Sequence, residues 1–528
     1  MFRSAHIDTF ARENLPPIDK WPELTSPPSY PERLNASEVL LDKTMVRVGR
    51  EKIALIAAEG SISYGALFDQ VNAISLYLES IGVQPGNRIL LRGPNNASIV
   101  ALWFAVLRVG AIAVTTIHLQ RTGELEKIAE IAKVQFAFVD HRFLDEWTAV
   151  KNYGGKTLIY GGGAESDIFI AASKFTGAHQ PCDTASDDVS LLAFTSGSTG
   201  IPKATMHFHR DVLTIAETFA KEILQPNETD IFAGSPPIAF TFGLGALVIF
   251  PFWAGATSLM LEAAAPPILL KEIATHGVTV LFTAPTAYRA ILPLLDETPV
   301  PTLRRCVSAG EHLPKSTWEA WHAATGIKII DGIGATEMLH IFISAADDEI
   351  IPGMTGRVLA GFSAKIFDED FNELPRGNPG LLAVKGPTGC RYLNDARQSN
   401  YVKNGWNFTG DIFIQHENGY FQYQSRSDDM IISSGYNVAA PEVENALLTH
   451  QAVMESAVVG LPDEERGMIV TAYVVLRPGF IASDELKKEL QDHVKSTIVP
   501  FKYPRSLHFV ETLPKTTTGK LQRFRLKV

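Results

Sequence analysis

Phe194-Thr-Ser-Gly-Ser-Thr-Gly-Ile-Pro-Lys203 is the stretch on which the reading of this chain turns. Four hydroxyl residues, Thr195, Ser196, Ser198 and Thr199, are interleaved with Gly197 and Gly200, and Lys203 follows the closing proline. Ahead of it, Val189-Ser-Leu-Leu-Ala-Phe194 is a short apolar run that predicts a strand. A strand entering a Gly/Ser/Thr loop suits phosphate. Glycines let backbone N–H groups turn toward an anion, and hydroxyls add donors without bulk. Lys203 then adds a mobile positive charge. The Gly-x-x-x-x-Gly-Lys-Ser/Thr spacing of a Walker A loop is absent. The alternative, an ordinary surface turn, fits a loop of this length closed by Pro-Lys less well.

On either side of this loop, strand and helix patterns alternate. Before it the pattern predicts strands at 53–58, 88–91, 111–117 and 136–139, with helices at 63–81, 95–109 and 123–132 between them. After it, strands at 278–282, 305–308 and 328–330 alternate with helices at 286–295 and 316–325. Such alternation predicts doubly wound α/β layers. From Gly356 to about Tyr423 the runs become short and Gly/Pro-punctuated, which predicts an antiparallel β unit packed on the first domain. A boundary is expected near Arg426-Ser-Asp428, followed by a small α+β domain. The expected organisation is therefore a large α/β N-terminal domain over 1–427 and a small, mobile C-terminal domain over 428–528.

At 528 residues the chain is too long for one core. Its 46% apolar and 20% charged residues are ordinary for a globular protein. A net charge of −11 argues against a general nucleic-acid binder. The segment from Lys515 to Val528 departs from this balance, carrying basic residues and no acidic one. Cys182, Cys306 and Cys390 are scattered without metal spacing and predict a reducing compartment, the cytoplasm. The N-terminus lacks a basic-then-apolar signal pattern. Ile238 to Met260 is long and apolar enough for a bilayer, but Gly243, Gly245, Pro251 and Gly255 interrupt it. A loop, a buried helix and a buried strand are expected there, with membrane attachment as the alternative.

Further stretches carry chemistry. Cys306-Val-Ser-Ala-Gly-Glu311 reads as a strand ending in small residues, which permits close approach of backbone to a flat ring. Asp331-Gly-Ile-Gly-Ala-Thr-Glu-Met338 follows a strand and sets a hydroxyl beside a carboxylate, a pair suited to Mg²⁺ and phosphate. Asn407-Phe-Thr-Gly-Asp411 places a carboxylate at an expected turn before a strand, able to accept two hydroxyls of a ribose. Arg426 follows fifteen residues on. Pro514-Lys-Thr-Thr-Thr-Gly-Lys520 delivers one lysine on a Thr/Gly loop.

In this order, over nearly the whole chain, these motifs resemble the adenylate-forming superfamily of acyl-CoA synthetases, adenylation domains and luciferases. The resemblance implies that Thr195, Ser196, Gly197, Ser198, Thr199, Gly200 and Lys203 hold phosphates. It implies that Ala309, Gly310, Glu311, Asp331, Gly332 and Ile333 line the adenine and acyl site. Thr336 is expected at the α-phosphate, Glu337 on Mg²⁺, and Asp411 with Arg426 at the ribose. Asp428 would be the hinge, Gly435 would flank the pantetheine arm of CoA, and Lys520 would act only in the first half-reaction. Phe240 matches an aromatic gate, and Gly243, Ile333, Gly334 and His340 would surround a flat ring. Three residues depart from the pattern: Ile333 stands where many relatives have Tyr, Ser425 where Gly is usual, and Ile432 where Lys is common.

Gly-Ala-Thr-Glu-Met-Leu-His340 looks most like the benzoate and aminobenzoate CoA ligases. The expected activity is an ATP-dependent aryl-acid CoA ligase using ATP, Mg²⁺ and coenzyme A. Its partners would be a small aromatic carboxylic acid and no nucleic acid or membrane, and it would be a monomer or homodimer. The alternatives are a medium-chain or other aliphatic acyl-CoA synthetase, an enzyme loading a carrier-protein thiol, or a nucleotide-binding module without catalysis.

Overall fold

The helix Ala97–Arg108 is buried along its whole length except at Ser98, because it lies between two sheets and has no solvent face. Asn96 caps it by accepting a hydrogen bond from the Ile99 N–H. The computed structural model describes every residue except 26–27, 196–200, 428, 434–435, 464–465, 499, 516–520 and 528, and describes 432, 436, 437, 467 and 501 by backbone alone.

One of the two sheets has six strands, ordered Lys156–Tyr160, Phe136–Asp140, Arg88–Gly93, Ile112–Ile117, Val189–Thr195 and Lys203–Phe208. Its pairs are parallel except the last, where Thr195 stands opposite Lys203 in an antiparallel register. The two ends of the phosphate-loop stretch are thereby held side by side. The other sheet has nine strands. Its parallel centre runs Ile329–Gly334, Arg305–Ser308, Val280–Thr283, Ile231–Gly234, Thr257–Leu259, Ile53–Ala57. These central strands read as continuous apolar runs because helices cover both faces.

The apolar stretch from Ile238 to Met260 folds as expected, as a loop, a buried helical run from Thr241 to Ala254 and a buried strand at Thr257–Leu259; a further strand, Ile231–Gly234, precedes it. Among the described residues no helix is long and apolar enough to cross a membrane. The 356–426 region forms the expected antiparallel sheet of five strands. One expectation is corrected here. Asp411 does not precede a strand but lies inside Trp406–Gln415, where Gly410, at φ +77, kinks a bulge against Pro379–Lys385. Thr-Gly-Asp reads as a turn locally, and cross-strand pairing on both sides overrides it.

A fourth sheet is drawn only from residues between 430 and 509, with the helices Ala440–Leu448 and Asp484–Thr497 packed on it around Val443, Leu447, Val458, Val474 and Leu490. The larger and smaller regions thus have separate cores.

Candidate active site

Two predicted motifs end on neighbouring strands. Ser308, the last residue of Arg305–Ser308, pairs with Asp331 of Ile329–Gly334. The Ala309-Gly310-Glu311 turn therefore runs beside the Asp331-Gly332-Ile333 segment. Gly310 takes φ +86, a conformation that favours glycine. Ser308 Oγ and Asp331 Oδ1 are both buried with no hydrogen-bond partner, so this crevice holds two unsatisfied polar atoms. Burial pushes the Asp331 carboxyl up to about 8.

The expected strand at 328–330 continues through the motif to Gly334 and turns back as Ile341–Ser344. A Cβ on Gly334 would come within 2.7 Å of the His340 carbonyl oxygen, so the hairpin needs glycine there. Between its strands, the short turn Thr336–Met338 buries Glu337 against the strand Val189–Thr195. Lys203 Nζ donates to Tyr392 Oη at 2.7 Å, and Tyr392 Oη donates to Glu337 Oε1 at 2.5 Å. Lys203 Nζ lies 3.5 Å from the same Glu337 oxygen. Thr195 Oγ1 and Tyr401 Oη are buried without partners. His207 Nε2 lies 2.8 Å from the Thr336 carbonyl oxygen.

A single carboxylate with hydroxyls around it matches the preference of Mg²⁺, which takes one or two carboxylates and completes its shell with phosphate oxygens and water. The orphaned Thr195 and Tyr401 hydroxyls are further hard-oxygen donors for a nucleotide–metal complex. The residues present fit that group.

Asp411 and Arg426 face each other across paired strands, with Arg426 Nη1 donating to Asp411 Oδ1 at 2.9 Å and to the Thr409 carbonyl at 3.1 Å. His312, next to Glu311, stacks on Tyr423 with centroids 5.3 Å apart. From the C-terminal region, Asn445 Nδ2 reaches His312 Nε2 at 3.0 Å. The smaller region therefore touches the crevice beside the predicted adenine turn.

His340 is buried inside three phenylalanines: Phe250 at 4.7 Å, Phe219 at 5.1 Å and Phe242 at 5.8 Å between ring centroids. Neither of its ring nitrogens has a partner, and burial pushes its pKa down to about 3. Phe240 is half-buried and caps the helix Thr241–Leu244; the ring facing His340 is Phe242. A Cβ on Gly243 would meet the Pro237 carbonyl at 2.1 Å, so that glycine serves a close backbone approach.

The structure thus gathers Thr195, Lys203, Thr336 and Glu337, pairs Asp411 with Arg426, and sets Gly334 beside His340. Ser196, Gly197, Ser198, Thr199, Gly200, Asp428, Gly435 and Lys520 lie outside the described residues. Sequence reasoning missed Tyr392, Tyr401, His207, His312 and the cage of Phe219, Phe242 and Phe250. None stands in a motif of its own; only tertiary packing brings them to the crevice.

Known proteins resemble this chain along nearly its whole length. The AMP-binding enzyme family matches residues 42–392, and the AMP-binding enzyme C-terminal domain matches residues 442–520. The benzoate–CoA ligase of Thauera aromatica is 35% identical over 518 residues, spanning 95% of this chain and 98% of that protein. The crystal structure of the anthranilate CoA ligase AuaEII in complex with anthranoyl-AMP superimposes with a TM-score of 0.90 at 32% identity, covering 94% of this chain and 97% of that one. A benzoate CoA ligase from Burkholderia xenovorans LB400 gives a TM-score of 0.86 at 31% identity, with 94% and 100% covered.

Proposed function

Because this chain belongs to the AMP-binding enzyme family, we propose that it is an AMP-forming ligase joining an aryl carboxylic acid, of the benzoate or 2-aminobenzoate type, to coenzyme A. One observation carries the aryl assignment: His340, the residue that Phe219, Phe242 and Phe250 surround, ends the same five-residue segment, 336–340, that bears Thr336 and Glu337. A flat acid seated there has its carboxylate directed toward the phosphate side.

In the first half-reaction the acid's carboxylate oxygen attacks the α-phosphorus of ATP, and pyrophosphate leaves. In the second, the CoA thiol attacks the acyl carbon, AMP leaves, and the thiol proton passes to solvent. The 195–200 loop and Lys203 hold the departing phosphates. Thr336 donates to the α-phosphate, where negative charge develops. Glu337 is the carboxylate that would hold Mg²⁺, and the ion would supply charge neutralisation to the phosphates. Asp411 accepts the ribose hydroxyls and Arg426 orients it. Ala309, Gly310, Glu311, Asp331, Gly332 and Ile333 enclose the adenine, with Ile333 giving an aliphatic face where many relatives have an aromatic one. Phe240, Gly243, Gly334 and His340 bound the acid. Lys520 reaches the reacting oxygens in the first half-reaction only. Rotation of residues 428–528 about Asp428 against 1–427 then opens the thiol route past Gly435. The enzyme works in the cytoplasm as a monomer or homodimer.

The test is AMP release with benzoate, 2-aminobenzoate or octanoate, each with and without CoA. Turnover with an aromatic acid that requires CoA supports the reading; preference for octanoate, or turnover only with a carrier-protein thiol, overturns it.

A further inference from the structure

Lys203 and Glu337 are a cation and an anion 3.5 Å apart in a half-closed crevice, and the hydroxyl of Tyr392 touches both. The two already form an ion pair at this distance, and a shorter one would occupy both groups with each other. The lysine would be turned from phosphate and the carboxylate from metal, each held by an attraction that low dielectric strengthens. Tyr392 Oη bridges the two. It accepts one hydrogen bond from Lys203 Nζ and donates its only proton to Glu337 Oε1.

The lysine is further guided by two rings, with Nζ 4.7 Å from the Tyr392 centroid and 5.8 Å from that of Tyr401. Tyr392 is itself fixed. Its backbone N–H donates to Gln398 Oε1 at 2.9 Å, and Gln398 Nε2 donates to the carbonyls of Cys390 and Lys20. Thr205, on the strand leaving the phosphate loop, bridges the backbone of Tyr392. The tyrosine is thus anchored to the strand that carries Lys203 and aimed at the turn that carries Glu337.

We propose that Tyr392 is a positioning residue that bridges the phosphate-loop lysine and the metal-holding carboxylate and keeps both aimed before Mg·ATP arrives. The proposal rests on Glu337 being the metal carboxylate, as in the function proposed above.

The experiment uses the full chain with Tyr392→Phe, Glu337→Gln and the double variant. Mn²⁺ is titrated into each protein with a non-hydrolysable ATP analogue and followed by electron paramagnetic resonance. Tyr392→Phe keeps the ring over Lys203 and removes only the hydroxyl. It is expected to weaken the Mn²⁺ midpoint by about tenfold or more, the scale of one hydrogen bond to a charged group. Nucleotide binding in EDTA should weaken as well, because Lys203 loses the hydroxyl that aims it. In the Glu337→Gln background the same change should have no further effect, because the two residues act as one unit. Excess Mg²⁺ should restore the pyrophosphate-exchange rate of Tyr392→Phe, which a generally damaged fold would not allow. A wild-type Mn²⁺ midpoint in Tyr392→Phe, additive effects in the double variant, or failure of Mg²⁺ rescue would each overturn the proposal. If Glu337→Gln alone left the midpoint unmoved, the metal assignment would fall and Tyr392 with it, a result distinct from failure of the tyrosine variant alone.

Discussion

His207 Nε2 stands 2.8 Å from the carbonyl oxygen of Thr336, so a ring on the strand leaving the phosphate loop fastens the backbone of the turn that bears Glu337. Burial pushes His207 down to about 4, which keeps the imidazole neutral near pH 7. A carbonyl only accepts, so this hydrogen bond puts the one ring proton on Nε2. Nδ1 faces Asp211 at 3.9 Å, and Asp211 accepts instead from the fully buried Arg391 at 3.0 Å.

His207→Ala removes the side-chain donor to a carbonyl that also accepts from the Leu339 N–H at 3.1 Å, at a cost of about 0.5–1.5 kcal/mol. The expected result is a lower melting temperature together with slower ATP–pyrophosphate exchange. His207→Gln, which can present an amide donor, should recover most of both. Calorimetry and exchange assays on the two variants check this; equal loss in both would show that the ring's volume matters and its proton does not.

Stability should change with pH in opposite senses at two ends of the crevice. His207, His209, His312 and His340 are pushed down from 6.5 to between about 3 and about 4 by burial. Their folded values lie below the unfolded one, so the unfolded chain binds more protons between about 4 and 6.5. Stability is full above that window and is lost as pH falls through it. Asp331 behaves the other way, with a folded value of about 8 against 3.8 unfolded. The folded protein keeps that proton through the window, so stability declines as pH rises from about 4 to about 8. Asp331→Asn should flatten the melting temperature between pH 6 and 9 and raise it at pH 9 relative to the parent.

Asp411→Ala removes a carboxylate set in a bulge opposite Arg426. The expected outcome is a rise of about tenfold or more in KM for ATP, with KM for the acid little changed, because a bidentate contact to a ribose is worth one to two such hydrogen bonds. Steady-state kinetics with each substrate varied in turn measure it.

Lys520→Ala should abolish acyl-AMP formation yet leave thioester formation from supplied acyl-AMP largely intact. The two half-reactions are followed separately, by pyrophosphate exchange and by AMP release from synthetic acyl-AMP with CoA. Equal losses in both would rule out a small domain that presents different faces in the two steps.

What the sequence disclosed follows a physical division. The strand before Thr195, the helix opening at Ser63 and the alternation of runs are local patterns, and each appears in the structure. The order of motifs along the chain likewise carried the family. Tyr392 and His207 were invisible because each acts through a contact distant in sequence, Tyr392 with Glu337 and His207 with Thr336. Asp411 was placed at a turn because Thr-Gly-Asp has turn chemistry, while the pairing that makes it a bulge comes from strands on either side. The rings packed on His340, those of Phe219, Phe242 and Phe250, come from three separate places in the chain, which no motif joins.

Gly245 sets local and tertiary preference against each other. It opens the helical stretch Gly245–Ile249 and is fully enclosed. On propensity alone, alanine in a helix is favoured over glycine by about 1 kcal/mol. A Cβ at Gly245, however, would lie 2.6 Å from His340 Cδ2 and 2.7 Å from its Nε2. Those contacts are too short to keep, and His340 cannot retreat freely because Phe219, Phe242 and Phe250 pack around it. Overpacking of this kind costs about 1–3 kcal/mol, which exceeds the helical gain. Gly245→Ala should therefore lower the melting temperature. By displacing His340 toward the acid, it should also raise KM for benzoate or 2-aminobenzoate about tenfold while KM for ATP stays near the parent value. A variant that melted higher and handled the aromatic acid normally would mean that the cage around His340 is only core packing.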